Sequence, residues 1–120
     1  MNEYQEKLKN KMDEFVHFIY KITSKFPKQE MFGTISQFRR AGLSVILNYI
    51  EGYARIKPLV RLNFLEISFG SFKESRYLFD FSYSEKFMTK EEYDYGIKLG
   101  DEIGAMLWKE IQNLSGAIKN

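Results

Sequence analysis

The sequence predicts an all-α protein, an antiparallel up-down-up-down four-helix bundle that forms one domain over residues 1–120. Apolar residues recur every three or four positions along most of the chain, which is the period of one helix face. Pro27 and Pro58 interrupt this period, and short polar capping sequences stand where new periodic segments begin. Because the connections are short, consecutive helices are expected to be antiparallel neighbours. The predicted helices cover about residues 3–25, 34–56, 58–85 and 89–118.

The first helix is predicted by one apolar stripe, whose steps alternate between four and three residues. It ends at Phe26 because a proline excludes the preceding residue from the α region. The stripe consists of Leu8, Met12, Phe15, Ile19, Ile22 and Phe26.

The second helix is apolar on more than one side. Thr34 is predicted to cap it, with Gln37 three residues later completing a capping box. A helix with so wide an apolar surface is expected to be buried on several faces, within its own fold or against another subunit. One column contains Ile35, Phe38, Gly42, Val45 and Tyr49, and the further apolar residues are Leu43, Ile46, Leu47 and Ile50.

A polar stripe also follows the second helix, and two interpretations of it are open. It consists of Gln37, Arg40, Ser44, Asn48, Glu51 and Arg55, and Glu66 and Glu74 on the third helix are candidate partners. The stripe is either a hydrogen-bonded network that fixes helix register and subunit geometry, or a face for a ligand or nucleic acid. The mixed charges favour the network, because buried polar groups need partners and this stripe supplies its own.

The last two helices have their own start signals. Pro58 suits the first position of the third helix, and Thr89 with Glu92 forms a capping box for the fourth. Gly96, Gly100 and Gly104 recur at every fourth position of that last helix. Each glycine lowers helix propensity by about 1 kcal/mol, so we expect a neighbouring backbone to pack closely against them.

Composition excludes several classes of function. The chain has no cysteine and one histidine, His17, so we expect no metal site, no cofactor and no catalytic centre. The start of the chain lacks the pattern of a signal peptide, and no stretch reaches the roughly 20 apolar residues of a membrane span, so a cytoplasmic protein is expected. Aromatic residues at 17% exceed the need of one small core and indicate an interface.

The best nucleic-acid candidates are basic residues in the first half of a chain whose net charge is only +2. Three of them surround the connection between the second and third helices, where they could contact phosphates. The alternative is that Arg39 and Arg40 form pairs between subunits and that the others are solvated. The candidate set is Arg39, Arg40, Arg55, Lys57 and Arg61.

Several blocks between about residues 8 and 115 resemble the signature of a bacterial family of small four-helix bundle proteins. The family was first noticed as reading frames in the intervening sequences of 23S ribosomal RNA genes. The similar blocks are Phe26-Pro27-x-x-Glu30, Gln37-Phe38-Arg39-Arg40-Ala41, Asn48-Tyr49-Ile50-Glu51-Gly52, Phe64-Leu65-Glu66-Ile67-Ser68, Gly70-Ser71-x-x-Glu74, Thr89-x-Glu91-Glu92-Tyr93 and Glu102-Ile103-Gly104-x-Met106-Leu107.

The resemblance implies a homopentameric ring without enzymatic activity. It also implies kinship to the accessory protein of diversity-generating retroelements, a basic pentamer that contacts its reverse transcriptase and nucleic acid. Two hypotheses follow. The chain is an oligomeric scaffold for RNA, DNA, a reverse transcriptase or another nucleic-acid enzyme, or it is a protein-interaction ring that binds no nucleic acid.

Overall fold

The computed structural model describes residues 1–119, and this part of the chain contains helices and no strand. The four long helices are α1 (Glu3–Thr23), α2 (Ser36–Tyr53), α3 (Pro58–Ser84) and α4 (Lys90–Lys119).

Helix α1 begins with a cap at Asn2 that was not predicted from the sequence. The backbone N–H of Gln5 donates to Oδ1 of Asn2 (2.8 Å), and the backbone N–H of Asn2 donates to Oε1 of Gln5 (2.9 Å). This reciprocal pair satisfies two N–H groups that have no partner within the helix. The predicted apolar stripe of α1 is buried over its whole length, from Leu8 to Phe26.

The connection between α1 and α2 departs from the prediction. It contains a short 3₁₀ turn (Lys28–Glu30) followed by the segment Met31–Ile35, which leads into α2 and is kinked at Gly33, whose backbone angles are not helical (φ −117°, ψ −109°). The predicted capping box at Thr34 is wrong. The Thr34 hydroxyl donates to Oε1 of Glu30 (2.7 Å), and the residue before α2 already has helical backbone angles, so no cap forms there.

The later helix starts behave as their sequences predict. Pro58 occupies the first turn of α3, after Lys57 in an extended conformation. Thr89 and Glu92 form the predicted capping box: the Glu92 N–H donates to Thr89 Oγ1 (3.1 Å), and the Thr89 N–H donates to Glu92 Oε1 (3.0 Å). The Lys25 ammonium also pairs with the Glu92 carboxylate. Partial burial opposes ionisation, but these hydrogen bonds hold the pKa of Glu92 below its usual value.

Each helix packs against the helix before it, and α4 also packs against α1. Side chains from all four helices meet in one core, in which phenylalanine rings dominate. The Phe79 ring lies edge-on to Phe38 (4.8 Å between centroids) and contacts Phe15 (5.6 Å). Such tilted and edge-on pairs are the favoured aromatic geometries.

The glycines of α4 are packed closely, but by rings and not by a backbone. Phe79 fills the space in which a side chain at Gly96 would lie. A Cβ atom added at Gly104 would approach the Phe72 ring to 2.7 Å, and one at Gly100 would meet the same ring at 3.4 Å. The prediction of close packing at this stripe is correct, whereas the predicted neighbour was wrong.

Candidate assembly and nucleic-acid surfaces

Helix α2 has a buried apolar column and an exposed one. The predicted inner column from Ile35 to Tyr49 is buried, and Ile46 joins it. The outer column is formed by Leu43, Leu47 and Ile50, which we call the outer ridge. Leu47 remains 57% exposed and the other two are also exposed. A row of exposed apolar side chains on one helix is typical of a protein interface.

The polar stripe beside the outer ridge divides into separate groups. Arg40 donates to Oε1 of Gln37 and to Oε2 of Glu74 on α3, both at 2.7 Å. Glu51 pairs with Arg55 one turn later. Arg40 therefore links α2 to α3, and Glu51 links α2 to the connection that follows it, both within one chain.

A hydroxyl and amide group lies between these ion pairs. The Asn48 amide donates to the carbonyl oxygen and to Oγ of Ser44, both at 2.9 Å, and Ser71 donates to Ser44 Oγ at 2.8 Å. Glu66 belongs to none of the ion pairs found within residues 1–119 and lies instead beside a groove between α3 and α4.

The two neighbouring arginines of α2 contact groups of their own chain. Arg39 donates from Nε to Thr23 Oγ1 (2.9 Å) and lies over the Tyr20 ring at 4.6 Å, which fastens α2 to α1. Thr23 in turn donates to the Ile19 carbonyl at 2.7 Å. Arg39 is therefore a packing arginine, and Arg40 is the more exposed of the two.

The other three basic candidates meet at the connection between α2 and α3. Arg61 donates to the backbone oxygens of Gly52 (3.3 Å) and Arg55 (2.9 Å), and its guanidinium lies over the Tyr53 ring. Arg55 lies over the Phe64 ring. Lys57 is exposed and belongs to none of the ion pairs between residues 1 and 119. The five candidates thus form two groups, near opposite ends of α2.

A partly buried tyrosine–glutamate cluster near the same end of α2 was not predicted from the sequence. The hydroxyls of Tyr49 and Tyr53 both donate to the Glu110 carboxylate on α4. Burial, and then the hydrogen bond to Glu110, raise the pKa of both tyrosines far above its ordinary value of 10. Gln5 donates to the Tyr53 hydroxyl (3.2 Å), which joins α1 to the cluster.

Tyr53 and Glu110 of this cluster line a surface cleft of about 420 Å³. Most of the other residues on its lining carry polar side chains, Arg61 and Lys109 among them. Its tyrosine hydroxyls and its carboxylate are already hydrogen-bonded to one another, so the cluster primarily links α2 to α4.

His17 is exposed on α1, with Nε2 3.4 Å from Asp13 Oδ1. Between residues 1 and 119, no three histidine or carboxylate side chains gather closely enough to hold a metal ion. None of the helices in that stretch is both long and apolar enough to span a membrane.

Comparisons with known proteins agree on the fold. The chain is similar to the crystal structure of a protein of unknown function from the S23 ribosomal protein family of Bacteroides thetaiotaomicron. The TM-score is 0.82 at 22% identity, with 91% of this chain and 98% of that chain covered. No curated protein matches the sequence. The profile of the family described as 23S rRNA-intervening sequence protein matches residues 5–109. The chain therefore belongs to the 23S rRNA-intervening sequence protein family.

Proposed function

We propose that this chain is a non-enzymatic bundle protein that assembles into a homo-oligomeric ring and acts as a scaffold for nucleic acid or a nucleic-acid enzyme. An up-down-up-down arrangement of the helices is part of this proposal. Contacts between the two ends of neighbouring helices support it: Tyr4 of α1 donates to the Met106 carbonyl of α4, whereas Lys25 pairs with Glu92. Antiparallel neighbours make such contacts.

The outer ridge is the observation that carries the proposal of assembly. Burying an apolar side chain such as Leu47 contributes about 1.5–3 kcal/mol relative to leaving it in water. A soluble bundle gains nothing from three such side chains in a row on one helix unless another surface covers them. The number of five subunits rests on the family resemblance.

Light scattering on a size-exclusion column tests the assembly. We expect wild-type protein to elute at about five times the chain mass of 14.3 kDa. The double variant Leu43→Glu, Leu47→Lys should elute as a folded monomer, because two charged side chains replace the apolar surface of the ridge and removing them from water is costly. Gln29→Lys, which changes an exposed residue of the α1–α2 connection, is the control and should leave the mass unchanged. A monomeric wild-type protein at ~100 μM would contradict the proposal, because specific oligomers usually bind more tightly.

The proposed nucleic-acid surface is the connection between α2 and α3. Arg55, Lys57 and Arg61 place three positive charges within a few residues of each other. A ring would repeat this group in every subunit, so that weak phosphate contacts would add. Lys57 is the most informative position, since it is exposed and carries no ion pair among the residues described.

Binding of single-stranded and duplex RNA and DNA tests this surface. We expect binding at ~50 mM salt that weakens steeply as salt is added. Lys57→Glu should weaken it strongly. Lys28→Glu makes the same charge change in the exposed turn before α2 and is the matched control. Absence of binding at ~50 mM salt would contradict this part of the proposal.

The second candidate is a protein-interaction ring without nucleic-acid binding. It is favoured by the contacts of Arg39 and Arg61, whose guanidinium groups already donate to oxygens of their own chain. Such a ring would retain its protein partners after nuclease treatment, whereas a nucleic-acid scaffold would lose them. Isolation from cells with and without nuclease therefore separates the two functions.

A further inference from the structure

Two helix glycines have no neighbour that explains them. A Cβ atom added at Gly70 of α3 or at Gly116 of α4 would meet nothing within 4 Å. By contrast, the glycines at positions 96, 100 and 104 face aromatic rings. Glycine lowers the stability of a helix interior, so its presence is expected where something must approach closely. Nothing among residues 1–119 approaches these two.

Both unexplained glycines lie on the same groove. It runs between α3 and α4, has a volume of about 570 Å³, and we call it the α3–α4 groove. Trp108, which is 48% exposed, stands against Phe69 in this groove with 5.2 Å between ring centroids. The lining residues are Glu66, Phe69, Gly70, Trp108, Ile111, Gln112, Ser115, Gly116 and Lys119. A mainly apolar groove with a glycine on each wall leaves room for the side chains of a third helix.

We propose that the α3–α4 groove receives the outer ridge of a second copy of this chain. This inference rests on the proposed self-assembly and identifies the two surfaces that meet. The ridge from Leu43 to Ile50 extends over about two helical turns, or ~11 Å, and the α4 wall of the groove runs from Trp108 to Lys119, about three turns or ~17 Å. The groove is therefore long enough to take the ridge, and each surface is mainly apolar.

The two surfaces lie on different faces of the bundle. On α2, Ser44 faces α3 through its hydrogen bond with Ser71, whereas the outer ridge lies on the flank that also carries Arg39, the contact with α1. The groove lies between α3 and α4. Contact between unlike faces is heterologous. A pair of copies joined in this way still has one free ridge and one free groove, to which further copies can bind. Such contacts close into rings when the rotation permits.

Complementation between two variants tests the inference. The groove variant is Gly70→Leu, Gly116→Leu, which fills the groove in space that is open in the single chain, so the bundle should still fold. The ridge variant is Leu43→Glu, Leu47→Lys. Each variant alone should remain monomeric at concentrations where wild-type protein assembles, a shift of the assembly midpoint by ~30-fold or more.

Mixing the two variants should give a 1:1 heterodimer and nothing larger. The intact ridge of the groove variant can enter the intact groove of the ridge variant, whereas the two altered surfaces cannot pair. Helical circular dichroism of each variant checks folding. If the leucines disturb the bundle, Gln112→Lys changes an exposed groove residue without filling the space at the glycines and should also prevent assembly.

The experiment distinguishes failure of the proposed ring from failure of the groove and from failure of the pairing between groove and ridge. A monomeric wild-type protein overturns both this inference and the proposed ring. Assembly of the groove variant with wild-type mass, together with a monomeric ridge variant, overturns the groove alone and leaves the ring in place. Monomeric variants that do not combine when mixed overturn the pairing of these two surfaces and indicate a different occupant of the groove.

Discussion

The inner and outer faces of the α3–α4 pair use glycine in opposite ways. On the inner face, Gly96 and Gly104 leave room for the Phe79 and Phe72 rings of α3, so the loss of helix propensity is offset by aromatic packing within one chain. On the outer face, Gly70 and Gly116 border space that the described part of the chain does not fill. The same residue type therefore marks a completed contact on one face and an incomplete one on the other.

The largest expected effect comes from removing a ring on the inner face. Phe79→Ala should lower the free energy of unfolding by about 3–5 kcal/mol, because it opens a cavity where four aromatic side chains and Gly96 meet. Urea unfolding monitored by circular dichroism measures the change. Phe81→Ala on the same helix is the control and should have a much smaller effect, since Phe81 is exposed.

Adding one methyl group on the inner face should also destabilise the bundle. Gly96→Ala is expected to cost about 1–3 kcal/mol, because the new Cβ atom would overlap the Phe79 ring. In the Phe79→Ala background the overlap is gone, and the same substitution should stabilise by up to about 1 kcal/mol through helix propensity. Equal effects in both backgrounds would show that the ring and the glycine are not coupled.

The tyrosine–glutamate cluster gives a smaller test of the inner face, through pH. Tyr49→Phe should cost about 1–3 kcal/mol near neutral pH, because it removes a partly buried hydrogen bond to Glu110. The folded-state pKa of Tyr49 is raised, so its stabilisation is complete below the unfolded pKa of about 10 and is lost as the pH rises above it. Urea unfolding at increasing pH should therefore show a steeper alkaline loss in wild-type protein than in the variant. The exposed Tyr77, changed to Phe, should reproduce the wild-type profile.

The smallest effect is expected on the outer face, and its sign differs. Gly70→Ala should raise the free energy of unfolding by about 0.5–1 kcal/mol when measured in the monomeric ridge variant, since the added Cβ atom meets nothing in the single chain. Measurement in that background removes the contribution of assembly to stability. A destabilisation there would mean that Gly70 is needed by its own chain.

The long helices could be predicted because their signals are local. The stripe from Leu8 to Phe26, the proline at position 58 and the box of Thr89 and Glu92 each depend on residues a few positions apart. The false cap at Thr34 has the same origin. The residue types suit a capping box, but the Thr34 hydroxyl donates to Glu30, and no side chain caps α2.

The long-range contacts could not be predicted in the same way. The cluster of Tyr49, Tyr53 and Glu110 joins residues 57 and 61 positions apart, and nothing in the local sequence pairs them. The five basic candidates could be identified, but their burial and partners could not, because Arg39 contacts α1 and Arg61 contacts backbone oxygens near the end of α2. The spacing of Gly96, Gly100 and Gly104 indicated close packing without indicating which groups would fill the space.

The position of Trp108 also provides an intrinsic fluorescence probe of the α3–α4 groove. It is the single tryptophan of the chain, and its half-exposed indole lies in the α3–α4 groove, so its fluorescence comes from one known environment. Covering the groove would remove water from the ring and shift its emission to shorter wavelength. A dilution series of purified protein would then report occupancy of the groove without any label.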